Sequence, residues 1–252
     1  MKNVLIIGAA SRIGEAAALL IAKELQPELV ILSDRPGANL ERVAANVMDI
    51  IPLSQVDVLP VDLSNSSDWS KWDNLPPLSG LVLCAAAGLT PGVTRQQMAN
   101  VNRFSQTALA EEVFKHHADP SGCHGAFINS LWGHNLSRKF PHEAYEPIAM
   151  DKNKAEDCYR RIGKSHGFPH TFNIVVSSMV ARTFASVLVH RTLSKEEFAK
   201  LIESLPEQRE VSIDEAARGI LDALKSPQTG QTIFIPPLAR EWASEEMLSV
   251  SI

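Results

Sequence analysis

The stretch IIGAASRIGEAAALLIA (residues 6–22) decides how this chain is read. An apolar run ends at Gly8, a short polar turn follows, and Ile13, Ala16, Ala17, Leu20 and Ile21 then recur at helical spacing. The order is strand, glycine turn, amphipathic helix. Gly8 permits the tight turn, and Gly14 lets the start of the helix lie close to the sheet, so that backbone N–H groups and the helix dipole face a pyrophosphate. Further on, the next apolar run ends in ILSDR, which places Asp34 where a carboxylate can accept both ribose hydroxyls of an adenosine. An ordinary strand-to-helix turn or a solvated acid explains either feature alone. Turn, helix and acid together, in this order, point to a dinucleotide.

Working outward, NVLIIG (3–8), LVILS (29–33), DVLPV (57–61), GLVLC (80–84), GAFINS (125–130), TFNIVV (171–176) and QTIFI (231–235) read as seven strands. Their near-continuous apolar character suits strands covered on both faces. Helical patterns occupy 38–49, 94–117, 151–166 and 212–224, and the alternation predicts an α/β fold around a parallel sheet. WDNLPPLSG (72–80) is a loop feeding the fourth strand. With no repeat or linker, residues 1–252 read as one domain.

Composition narrows the function. The chain carries a formal charge of -5 with Lys and Arg dispersed, which argues against nucleic acid as a partner. No apolar run reaches the length of a membrane span, and the one before Gly8 is too short for a signal-peptide core. Cys84, Cys123 and Cys158 form neither a metal-type spacing nor a disulfide framework, so a reducing, cytoplasmic setting is expected. HHADPSGCH (116–124) contains adjacent His116 and His117, which do not present both rings to one ion from a helix face; no metal site is expected.

GAASRIG (8–14), VDL (61–63), CAAAG (84–88), VNR (101–103), INSLWG (128–133), KAE (154–156) and TGQTIFI (229–235) follow the motif order of the classical short-chain dehydrogenase/reductases. The chain resembles that family over essentially its whole length. The resemblance implies a Rossmann-like, doubly wound seven-stranded sheet, NAD or NADP as cofactor, a small-molecule substrate, and a homodimer or homotetramer. It also implies cofactor contacts from Gly8, Ser11, Arg12, Ile13 and Gly14 in the first turn and from Asp34 and Arg35 after the second strand. Further contacts would come from Asp62, Leu63, Ala85 and Ala86, and from Lys154 and Val180. Departures are visible. The family's threonine before the first glycine is Ile7, its middle glycine is Arg12, its Asn-Asn-Ala-Gly is AAAG (85–88), and its later Pro-Gly is Ser177-Ser178. Arg12 and Arg35 suit a 2′-phosphate, whereas an ionised Asp34 repels one and tilts the choice slightly toward NAD. Asp62 resembles the residue that bonds the adenine amino group; a helix N-cap before SNSSDW is the equal alternative.

In the family a Ser orients the substrate carbonyl, a Tyr transfers the proton, a Lys acidifies that Tyr and holds the nicotinamide ribose, and an Asn supports a water relay. Ser130, Lys154 and Asn102 match three of these roles. The residue four before Lys154 is Met150, which has no proton to give. Tyr159 lies on the wrong side of the same helix. Tyr145 follows Ser130 in the connecting loop at about the right separation, with Ala149 where a lysine would stand. Three readings stay open: a divergent oxidoreductase using Tyr145, His134 or His142 as acid; an elimination or isomerisation on the same fold; and a dinucleotide-binding pseudoenzyme or sensor. The first leads, with a small polar carbonyl or alcohol as substrate. The loop 132–149 carries His134, Arg138, Lys139 and His142, so that substrate is expected to bear a carboxylate or phosphate; a solvated loop is the alternative. The segment 179–211 is the family's substrate cover by position and could equally form a subunit contact.

Overall fold

The computed structural model describes residues 1–51, 55–90, 92–136, 140 and 143–237. Seven strands, β1 (Asn3–Ile7), β2 (Leu29–Asp34), β3 (Val56–Pro60), β4 (Gly80–Leu83), β5 (His124–Ser130), β6 (Thr171–Ser177) and β7 (Thr232–Ile235), form one parallel sheet in the order β3-β2-β1-β4-β5-β6-β7. The order reverses between β1 and β4, so their carboxyl ends open the crevice in which open α/β sheets bind ligands. The expected α/β Rossmann-like fold is therefore the observed one.

Apolar strands bury both faces. On one face α1 (Arg12–Leu25), α2 (Leu40–Met48) and α9 (Ile213–Lys225) close over Val4, Ile6, Val30, Leu32 and Val175. On the other, α4 (Ser105–Glu112) and α6 (Glu146–His166) cover Leu5, Leu81, Leu83, Phe127 and Phe172. A third, smaller cluster joins Trp132 and Ala149 to Met179, Val189 and Leu205. It includes residues of the segment 179–211 expected to cover the substrate, which contains α7 (Phe184–Thr192) and α8 (Lys195–Glu203). Among the described residues no helix is long and apolar enough to cross a membrane.

Two predicted helices differ in a way that shapes the site. The pattern over 94–117 is divided into α3 (Arg95–Ala99), a π-helical turn (Asn100–Phe104), α4 and a second π-helical turn (Val113–His117). Apolar spacing alone cannot show such a change in winding. The helix expected from 151 begins at Glu146, with Pro147 in its first turn, where a missing N–H costs no hydrogen bond. Tyr145, expected in a loop, is the cap residue of α6. A one-turn helix α5 (Leu131–His134) follows β5, capped by the Ser130 side chain.

Candidate active site

The glycine turn is built by steric exclusion. Gly8 has a φ of 80°, and a Cβ there would lie 2.7 Å from the Ala85 backbone nitrogen. A Cβ on Gly14 would lie 2.1 Å from the Gly8 carbonyl oxygen. Ser11 caps α1 by accepting the Gly14 N–H at 3.0 Å. The backbone N–H groups of Gly8 and Ala9 donate to Ser33 O at 2.8 and 3.1 Å, which ties the turn to β2.

Asp34 takes a role its position did not disclose. Its carboxylate accepts the N–H of Ala10 at 3.0 Å and that of Arg35 at 2.8 Å, so it clamps the glycine turn onto β2. Burial raises its pKa, an effect the two backbone donors and Arg35 only partly oppose. Arg12 and Arg35 are both exposed, and Arg35 follows Asp34 directly and acts on its charge. Asp62 accepts the N–H and hydroxyl of Ser64 at 2.9 and 2.7 Å, closing a tight turn. The cap of the following 3-10 helix (Ser66–Asn74) is Asn65, so the N-cap expectation for Asp62 moves along the chain by one turn. Leu63 and Val180 are buried, while Ala85 and Ala86 lie at the carboxyl end of β4.

The stretch AAAG is held from α4. Fully buried Asn102, in the π-helical turn, donates to Ala87 O at 2.8 Å and accepts the Ala87 N–H at 3.0 Å. Gln106 donates to Ala85 O at 3.1 Å. Two amide side chains thus hold this backbone.

Helix α6 buries a different lysine from the one that KAE marks. Lys154 is exposed, and Met150, at 40% exposure, lies on the outside of the helix. Lys152 is the buried lysine: it is 6% exposed, and Nζ donates to Ile128 O at 3.0 Å and lies 5.2 Å from the centre of the Phe127 ring. Two residues turn a helix by roughly 200°, so an error of two positions moves a side chain to the opposite face. Burial pushes the Lys152 pKa down to about 8, with a small opposing effect from the Cys84 thiol, itself pushed up to about 12 by burial. Four residues before Lys152 stands buried Ile148, in contact with Gly88: a Cβ on that glycine would meet Ile148 at 3.0 Å.

Tyr145 does meet Ser130. Their side chains share a hydrogen bond; burial raises the pKa of the phenol, and the Ser130 bond draws it back. Ser130 also accepts the Gly133 N–H at 3.0 Å, and the Trp132 ring packs edge-on to Tyr145 at 6.2 Å between centroids. Tyr145 precedes Lys152 by seven residues, two turns on one face of α6, roughly 10 Å along the axis. Tyr159 is fully buried and stacked on Phe172, far from this chemistry. His134 turns to Glu156, with Nδ1 bonding Oε1 at 2.8 Å. Arg138, Lys139 and His142 lie outside the described residues. Among the described residues no group of three or more His, Cys, Asp or Glu could hold a metal, His116 and His117 included.

The carboxyl edge fits a ligand rich in hydroxyl and phosphate oxygens. The buried hydroxyls of Ser33, Ser177 and Ser178, at the ends of β2 and β6, have no partner among the described residues. The Lys152 ammonium reaches the ends of β4 and β5, and the glycine cradle leaves backbone without side chains around it.

This architecture is that of the short-chain dehydrogenases, and comparison with solved structures gives it particular counterparts. Levodione reductase superposes with a TM-score of 0.77 at 17% identity, covering 93% of this chain and 95% of its own. A 3-oxoacyl-(acyl-carrier-protein) reductase from Agrobacterium tumefaciens with NADP bound gives 0.75 at 19%, covering 92% of each chain. A short-chain dehydrogenase from Sphingobium yanoikuyae in complex with NADPH gives 0.70 at 17%, covering 95% and 90%. At such identities the likeness establishes the fold. No family model and no curated protein sequence matches the chain.

Proposed function

We propose that the chain is a nicotinamide-dinucleotide-dependent carbonyl reductase in which Tyr145 is the proton donor and Ser130 orients the substrate oxygen. The observation that carries this reading is the Tyr145–Ser130 hydrogen bond at the carboxyl end of the sheet, on the same helix face as a buried lysine. The dinucleotide, when bound, supplies the hydride. Gly8, Ser11, Ile13 and Gly14 would hold its pyrophosphate, Ala85, Ala86 and Val180 would line it, and Lys152 would hold the nicotinamide ribose. Asn102 keeps the 85–88 backbone in place through its paired bonds to Ala87.

Tyr145 presents a phenol that burial keeps protonated at neutral pH. A protonated phenol can give its proton to the oxygen of a carbonyl as that oxygen gains charge, so carbonyl reduction is favoured over alcohol oxidation. Ser130 donates its hydroxyl proton to the same oxygen and so fixes its direction. Asp34 retains the slight preference for NAD through repulsion of a 2′-phosphate, while exposed Arg12 and Arg35 are the groups that would reverse it.

A second reading has its own observation. With Ile148 four residues before Lys152, no phenol lies one turn from the ammonium, as a dinucleotide-binding protein without turnover would permit. Titration with NADH and NADPH, followed by a carbonyl panel with Tyr145→Phe as control, separates the two. Binding with turnover that Tyr145→Phe abolishes is the expected result. Binding without turnover on any carbonyl supports the second reading, and binding of neither dinucleotide sinks both.

A further inference from the structure

Behind Ser130, away from the cradle, four polar side chains are packed together with little access to solvent. Glu156 of α6 is the hub: Oε2 accepts Asn129 Nδ2 at 2.8 Å, and Oε1 accepts from His134 Nδ1 at 2.8 Å and from Arg160 Nη2 at 2.5 Å. Arg160 continues to Gly230 O at 2.9 Å and Thr232 Oγ1 at 2.6 Å, anchoring the hub to the start of β7. Burial alone would raise the Glu156 carboxyl, yet His134 and Arg160 hold it below the usual range, so it stays ionised. Asn129 links hub to site: its Oδ1 accepts the Ser130 N–H at 2.8 Å. One residue past Lys152, Asn153 donates to Gly133 O at 3.0 Å.

The one-turn helix α5 is thus gripped on several sides. Ser130 caps its start, Asn153 holds its end, and the His134 ring is pinned to the buried carboxylate. Four residues cannot hold a helix by their own hydrogen bonds, because nucleating a turn is unfavourable. An ionised carboxylate with buried donors is strong enough to do so, since charge-assisted hydrogen bonds are roughly twice as strong as neutral ones.

We propose that Glu156, acting through Asn129 and His134, is the positioning residue that fixes the Ser130 hydroxyl against Tyr145. This rests on the reading of Ser130 and Tyr145 as the reacting pair. It also gives His134 a role different from the proton donor that its place in the loop suggests. None of the four side chains in the hub touches the substrate on this view; each acts by holding Ser130.

The test needs no turnover. The chain has two tyrosines, so in a Tyr159→Phe background the titration of Tyr145 can be followed alone by NMR of isotope-labelled tyrosine. Glu156→Gln keeps the shape of the hub and removes its charge. Glu156→Gln is expected to move the Tyr145 titration upward, as far as Ser130→Ala does, and to add nothing when combined with Ser130→Ala, since coupled residues are non-additive. Asn129→Ala, which cuts the link from the carboxylate to the Ser130 N–H, supplies a second variant should Glu156→Gln fail to fold, and is expected to shift the titration in the same direction. A Glu156→Gln or Asn129→Ala shift that persists in full without Ser130, or no shift where Ser130→Ala gives one, overturns the proposal. If Ser130→Ala itself leaves Tyr145 unmoved, the reacting pair is wrong and the functional reading falls with it.

Discussion

The glycine turn and helix α6 both contribute to the candidate site, and they are specified in different ways. At the turn the requirements fall on backbone: a Cβ on Gly14 would collide with the Gly8 carbonyl, so the residue type itself records the geometry. On α6 they fall on side-chain direction, and the identity of a lysine does not tell which face of the helix it takes. The chain has lysines at both 152 and 154, and only the fold decides which is buried. Sites made of backbone therefore survive translation from a motif, whereas sites made of side chains depend on helical phase.

The sharpest way to break this comparison is to remove the phenol. Tyr145→Phe is expected to lower carbonyl reduction by about 10²–10⁴-fold, the usual range for losing a general acid, and to leave dinucleotide affinity nearly unchanged. The measurement is steady-state turnover alongside fluorescence titration of NADH and NADPH. Full turnover in Tyr145→Phe would move the chemistry to another group.

Lysine phase is tested next. Lys152→Met is expected to weaken dinucleotide binding roughly tenfold to a hundredfold, as for loss of a charge-assisted hydrogen bond, and Lys154→Met to leave it unaltered. Because burial lowers the Lys152 pKa to about 8, the cation that holds the ribose is lost as pH rises through that value. Affinity should therefore decline above it in the native protein and show no such step in Lys152→Met. Equal losses in the two variants would return the role to Lys154.

At the glycine turn, Gly14→Ala forces its methyl into the Gly8 backbone. Overpacking of this kind costs about 1–3 kcal/mol, and chemical denaturation would read it directly. A variant as stable as the native chain would mean that the turn relaxes more freely than its contacts indicate.

How much of this was legible in the sequence follows from the same contrast. The seven strands, the glycine turn and the placement of Ser130 and Asn102 were legible because apolar runs and glycines act locally. That Lys152 and not Lys154 is the buried lysine was hidden because KAE was read as a linear motif, which also fixed attention on exposed Met150 four residues before it. The start of α6 at Glu146 was hidden because EPIA carries too little apolar periodicity to mark a first turn, although Pro147 is a helix-start signal. The π-helical turn beneath Asn102 left no periodic trace. The Glu156 hub was invisible for a different reason: its partners come from β5, α5, α6 and the approach to β7, and no local pattern joins them.

The smallest expected effect separates the two tyrosines of the chain. Tyr145 caps α6 and its hydroxyl meets Ser130; Tyr159, fourteen residues on, lies under the sheet with its ring against Phe127 and Phe172 and its hydroxyl buried without a partner. A buried hydroxyl that forms no hydrogen bond loses its water on folding and gains nothing in return. Burial accordingly drives the Tyr159 pKa well above the usual phenol value, and the fully buried ring stacked on Phe172 offers no accessible hydroxyl to a substrate in place of Tyr145. Tyr159→Phe removes the uncompensated oxygen and keeps the stacked ring. It should leave turnover and dinucleotide affinity untouched and raise stability by up to about 1 kcal/mol, measured as a higher denaturation midpoint with unchanged slope. A destabilised Tyr159→Phe would show that the hydroxyl has a partner, an internal water being the simplest, and that the core beneath α6 is more polar than its side chains indicate.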